Sequence, residues 1–106
     1  MHAAQIKKHN HKAVKMANGA AQLTNASKEL VKAANTLPKK SAAKKVASVA
    51  NSLVNTSAAI TKNVIAIAKT TRSPIAIRAA KNALKSTNRT AINAHKARHE
   101  AAHTPK

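Results

Sequence analysis

The residues that interrupt regular backbone are almost missing from this chain of 106 residues: one glycine, Gly19, and three prolines, Pro38, Pro74 and Pro105. Between them lie stretches rich in Ala, Lys, Asn, Ser and Thr. Alanine is the strongest helix former, and Lys and Arg are good ones. The spacing of the breakers predicts three long helices, over 3–36, 40–71 and 74–102. The stops have mechanisms. Leu37 precedes Pro38, and a residue before proline is pushed out of the helical region. Ser41 is a candidate cap for the second helix. Ser73-Pro74 combines an N-cap serine with a proline at the first helical position. Thr104-Pro105-Lys106 closes the third helix. Gly19 costs about 1 kcal/mol relative to alanine inside a helix and is expected to mark a kink or a close helix contact. No alternating β-branched run bounded by turn residues predicts a strand.

Apolar periodicity agrees with three helices. Met16, Leu23, Leu30 and Leu37 recur every seven residues, with Ala13, Ala20 and Ala34 three positions ahead of members of that series. Val46, Leu53, Ile60 and Ile67 repeat the pattern, followed four positions on by Ala50, Ser57 and Val64. Ile77, Leu84 and Ala91 do so in the third segment, with Ala80, Thr87 and Ala94 between. Each series reads as a heptad seam. Short connections favour antiparallel neighbours. The expected fold is all-α: one domain, an antiparallel up-down-up bundle of three helices with an Ala-rich core. Such a core buries little area per residue, so contacts with other copies or with nucleic acid are expected to complete its stability. Met16 to Ser27 and Val46 to Thr61 carry no charge on any face and are expected to form an interface between subunits.

Charge then narrows the partner. Twenty Lys and Arg stand against Glu29 and Glu100, a formal net charge of +18. That much like charge in one compact body repels itself, and a polyanion relieves the repulsion. There is no Phe, Trp, Tyr or Cys. Without aromatics there is no platform on which unpaired bases stack, which favours recognition of backbone and shape. Without cysteine there is neither a disulfide framework nor a thiolate metal site. The amino-terminal residues Met1 to Lys8 contain no apolar core of a secretory signal. The expected location is therefore a nucleoid, a nucleus or the interior of a virion. The uncharged run Val46 to Thr61 is too short and too polar for a membrane span.

The cations are clustered. Lys7, Lys8, Lys12 and Lys15 form one group, and Lys39, Lys40, Lys44 and Lys45 a second around the first turn of the second helix. In the third helix Arg78, Lys81, Lys85 and Arg89 step by three or four, so they share a broad face that Lys96 extends; Arg72 and Arg98 are further candidate cations beside it. No acid is interleaved between Arg72 and Arg98, as an ordinary solvated face would have. These residues are the candidate phosphate contacts. Asn82, Asn88 and Asn93 read as general polar surface, since no base-reading motif surrounds them.

His99-Glu100-Ala101-Ala102-His103 resembles the H-E-x-x-H motif of zincin metalloproteases over five residues, where the two histidines bind zinc and the glutamate acts as general base. Only Thr104, Pro105 and Lys106 follow, so a downstream third ligand is not expected. His95, His99 and His103 remain weak metal candidates, better suited to adding charge beside a polyanion. No carboxylate pair or glycine-rich phosphate loop is present, and neither an enzyme activity, a cofactor nor a small-molecule substrate is expected.

The run Leu37 to Ala47 and the ending Thr104-Pro105-Lys106 resemble linker-histone tails in composition, over about a tenth of the chain; such tails are disordered, whereas this chain carries heptad seams. The overall profile is also similar to small three-helix ribosomal proteins and to helical capsid or nucleoprotein subunits of DNA viruses. The leading expectation is a structural, sequence-nonspecific protein that coats or packages duplex DNA while its helices self-associate. An RNA-assembly protein is the first alternative. A cationic amphipathic membrane-binding protein is the second, weakened by the missing Trp and Phe anchors.

Overall fold

A computed structural model describes residues 2–104. Three helices run Ala3–Thr36 (α1), Lys40–Thr71 (α2) and Pro74–Ala102 (α3), each in contact with the other two. They pack up-down-up into a rod of 59 × 15 × 14 Å. The boundaries are those the breakers predict. Ser73 is the N-cap of α3, its hydroxyl accepting from the Ile75 N–H at 3.3 Å, with Pro74 at the first helical position. Arg72 ends α2 in the left-handed region (φ 52°), its N–H bonded to the Ala68 carbonyl at 2.8 Å. Two local expectations change. The N-cap of α2 is Lys39, which offers no side-chain cap, and Ser41 lies inside the first turn. Around Gly19 an added Cβ meets nothing within 4 Å, so no close contact within the chain requires glycine there. Pro105 and Lys106 lie outside the described residues.

The bundle axis is built from small side chains. Among the described residues, every buried apolar side chain except Val64 is an alanine. In α1 they recur at Ala13, Ala17, Ala20, Thr24, Ser27 and Ala34; in α2 at Ala43, Ala47, Ala50, Ser57, Thr61, Val64 and Ala68. Steps of four and three keep this series on one face over the helix length. The leucine and isoleucine series of α1 and α2 are only half-buried; they flank the axis, as Met16, Ile60 and Ile67 do beside one alanine cluster. For α3 half of the expected seam holds and half does not: Ala94 is buried and Ala80 and Thr87 are half-buried against the bundle, but the Ile77–Leu84–Ala91 series is not inward. Ile77 and Leu84 are 41% and 49% exposed and Ala91 is exposed, while Ala76, Ala79, Ala83, Ser86, Thr90, Asn93 and Ala97 face inward. A helix packs closest through its smallest residues, and two neighbouring alanine faces leave no room at the axis for isoleucine or leucine.

Two alanine clusters are separated by a polar belt. One joins Ala13, Ala17 and Ala20 to Val64, Ala68, Ala76, Ala79 and Ala83. The other joins Ala34 to Ala43, Ala47, Ala50, Ala94, Ala97 and Ala101. Between them the α1–α3 contact holds Thr24, Ser27, Thr90 and Asn93, with Asn93 Nδ2 donating to Ser27 Oγ at 2.9 Å. The α2–α3 contact places Thr87 Oγ1 2.7 Å from Ser57 Oγ and 2.8 Å from Thr61 Oγ1. The belt satisfies its own hydrogen bonds, so its burial carries little penalty.

Candidate nucleic-acid interface

The two clusters fix which cations share an end of the rod. The start of α1, the end of α2 and the start of α3 meet at the first cluster. Lys7, Lys8, Lys12, Lys15, Arg72, Arg78 and Lys81 therefore sit toward one end. The second cluster gathers the end of α1, the start of α2 and the end of α3. Lys39, Lys40, Lys44, Lys45, Lys96 and Arg98, with His95, His99 and His103, sit toward the other. Lys85 and Arg89 bracket Ser86 and lie level with the polar belt.

Nearly all these side chains are solvent-exposed, with Lys40 half-buried. Among the described residues one ion pair forms, Lys32 with Glu29 at 3.5 Å, both side chains more than 70% exposed. Such a pair contributes little stability. Among the described residues the rest of the positive charge has no carboxylate partner. At the start of α2 the placement is locally unfavourable: Lys39 and Lys40 stand at a helix N-terminus, and no helix carries an acid in its first turn.

The charge is not spread evenly around the rod. A shallow groove follows the α1–α3 seam. Ala3, Ile6, Lys7, Asn10, His11, Val14 and Ile75 line its first part. Val14, Asn18, Ala21, Arg78, Asn82, Lys85 and Arg89 line the middle, and Asn25, Lys28, Arg89, Ile92 and Lys96 the last part. Successive parts share residues (Val14 and Ile75, then Ala21, Ser86 and Arg89), so the groove is continuous. Of the expected α3 stripe, Arg78, Lys85, Arg89 and Lys96 line this groove and Lys81 does not. The further candidate Arg98 lies on the α2–α3 side, where its Nη1 donates to Asn51 Oδ1 at 3.1 Å. The α2–α3 side divides in two: Lys44, Ser48, Asn51 and Arg98 near one end, and a mainly apolar stretch of Ala58, Ile65, Ala66 and Leu84 edged by Lys62 and Lys69.

Lys28, Asn18 and Asn25 are neighbours of the α3 stripe that spacing along α3 does not predict. Their signal was present: Lys7, Val14, Ala21 and Lys28 recur every seven residues, one position past the alanine series that faces the axis. His99 and His103 place their rings 4.4 Å apart, and among the described residues no group of three or more His, Cys, Asp or Glu side chains is arranged to hold a metal. No described helix is long and apolar enough to cross a membrane.

No protein-family model matches the chain, and no match is found among curated proteins or solved structures.

Proposed function

We propose that this protein is a structural, sequence-nonspecific nucleic-acid-packaging protein that lays a preformed helical rod against duplex DNA and neutralises its phosphates. The observation that carries this reading is a +18 chain whose exposed cations, on a body with well-defined sides, form a single ion pair among the described residues. Self-repulsion of that charge is relieved when a duplex, with one phosphate charge per ~1.7 Å, displaces its counterions.

Self-association belongs to the same reading. Met16 to Ser27 and Val46 to Thr61 each turn one side to the axis and leave uncharged outer surfaces, including Gln22, Ala26, Val49 and Ser52. Copies brought together on one duplex would meet through such surfaces, where no charge opposes contact.

The test is what accompanies the protein purified at low salt. A duplex-packaging protein carries nucleic acid removed by DNase and loads several copies on a long random duplex. Carriage of material removed only by RNase, with a single site on a structured RNA, would replace this reading with an RNA-assembly role. Leakage of anionic vesicles with no competition from DNA would replace it with a membrane role.

A further inference from the structure

We propose that the α1–α3 groove is the face that lies against the phosphate backbone, and that α2 is turned away from the nucleic acid. This rests on the packaging reading above and adds a direction to it. Six cations line the groove, Lys7 and Lys28 from α1 and Arg78, Lys85, Arg89 and Lys96 from α3. Both carboxylates, Glu29 and Glu100, lie outside it. Between the cations stand Asn18, Asn25 and Asn82, whose amides can donate to phosphate and sugar oxygens without adding charge. The floor is shallow because its residues are small, Ala17, Ala21 and Ala79 among them, so a sugar-phosphate strand can approach the helices closely.

The other sides are poorer. α2 contributes no residue to this groove. The α2–α3 side carries four cations, Lys44 and Arg98 near one end and Lys62 and Lys69 beside an apolar stretch around Leu84. The α1–α2 seam is flanked by half-buried Met16, Leu23, Leu53 and Ile60, which carry no charge. A rod 59 Å long lying along a duplex covers about 17 base pairs at 3.4 Å each. The groove places its cations over most of that length, from the start of α1 to the last third of α3.

If only the groove touches DNA, the slope of log K against log salt is about −5; if all the positive charge counts, it is about −18. Two variants of equal net charge separate the cases. One replaces groove cations (Arg78→Gln, Lys85→Gln, Arg89→Gln, Lys96→Gln); the other removes four exposed lysines of α2 (Lys44→Gln, Lys45→Gln, Lys62→Gln, Lys69→Gln). Between 50 and 200 mM salt the α2 variant should still lose about a thousandfold in affinity, and the groove variant only about tenfold. Helicity by circular dichroism shows that both fold. Lysine acetylation of the unmodified protein on a duplex supplies a reading free of folding effects: Lys7, Lys28, Lys85 and Lys96 are protected, while Lys44, Lys62 and Lys69 stay reactive. Equal loss of slope in both variants, with uniform protection, overturns the one-faced geometry and leaves the packaging reading intact. A flat salt response of the unmodified protein overturns the packaging reading itself.

Discussion

Thr24 on α1 and Thr90 on α3 hold their hydroxyl oxygens 2.9 Å apart in the middle of the bundle, and each lies 2.9 Å from the Ser86 carbonyl. With Ser27 and Asn93 they form a polar island between two alanine clusters. Alanine faces look alike one heptad apart, so they do not by themselves set how far α1 is slid along α3. Sliding by seven residues would bring Thr24 and Ser27 against alanines and leave Asn93 unpaired, a cost of about 1–3 kcal/mol per buried group. The island therefore sets register, the best-attested use of buried polar groups in coiled coils. Replacing Thr24, Ser27 and Asn93 together by alanine should keep the helix content but give several sets of amide resonances by NMR where the unmodified protein gives one.

The axis of α3 makes a second prediction, with two adjacent residues behaving oppositely. Ala83 is fully buried and Leu84 is 49% exposed. Ala83→Leu should destabilise the bundle by about 1–3 kcal/mol through overpacking. Leu84→Ala should change stability by less than about 1 kcal/mol, the scale of surface substitutions. Thermal melts followed at 222 nm distinguish this from the reverse order, which an Ile77–Leu84–Ala91 seam would produce.

Gly19 occupies a helix interior without positive φ and with open space where a Cβ would go. Gly19→Ala should raise stability by about 1 kcal/mol. For a domain of this size that is about 4–8 °C in melting temperature. An unchanged or lower melting temperature would contradict the open space around Gly19.

The α2–α3 corner is tuned by two neighbours in opposite directions. Ser73→Ala removes the hydroxyl that accepts from the Ile75 N–H and should cost about 1 kcal/mol. Arg72→Gly relieves a left-handed backbone and should gain about 1 kcal/mol. Urea midpoints should move apart in these directions, with unchanged slopes showing that the unfolding transition is otherwise the same.

The helices were legible because their limits are local. Leu37-Pro38 and Ser73-Pro74 stop and start a chain that otherwise has few breakers and much alanine and lysine. The inward face of α3 was not legible, since it depends on the partner helices. In α1 and α2 the large-residue heptads lie beside the alanine series, so both point near the axis. In α3 Ile77 and Leu84 follow directly after Ala76 and Ala83, and only close approach of two other alanine faces decides which series turns inward. The cationic stripe was legible by spacing along α3. Its companions Lys7 and Lys28 were not, because pairing across a groove requires the phase of α1 against α3. Arg98 stands only two positions past Lys96, and that shift carries it round the helix to Asn51.

The most direct measurement of the central claim is the affinity of the unmodified protein for a random duplex, followed by fluorescence anisotropy of labelled DNA across 50–200 mM salt. The account predicts a logarithmic slope near −5, independent of the DNA sequence, with affinity falling about a thousandfold over that range. A slope near zero, or binding that survives at high salt on one sequence only, would contradict it.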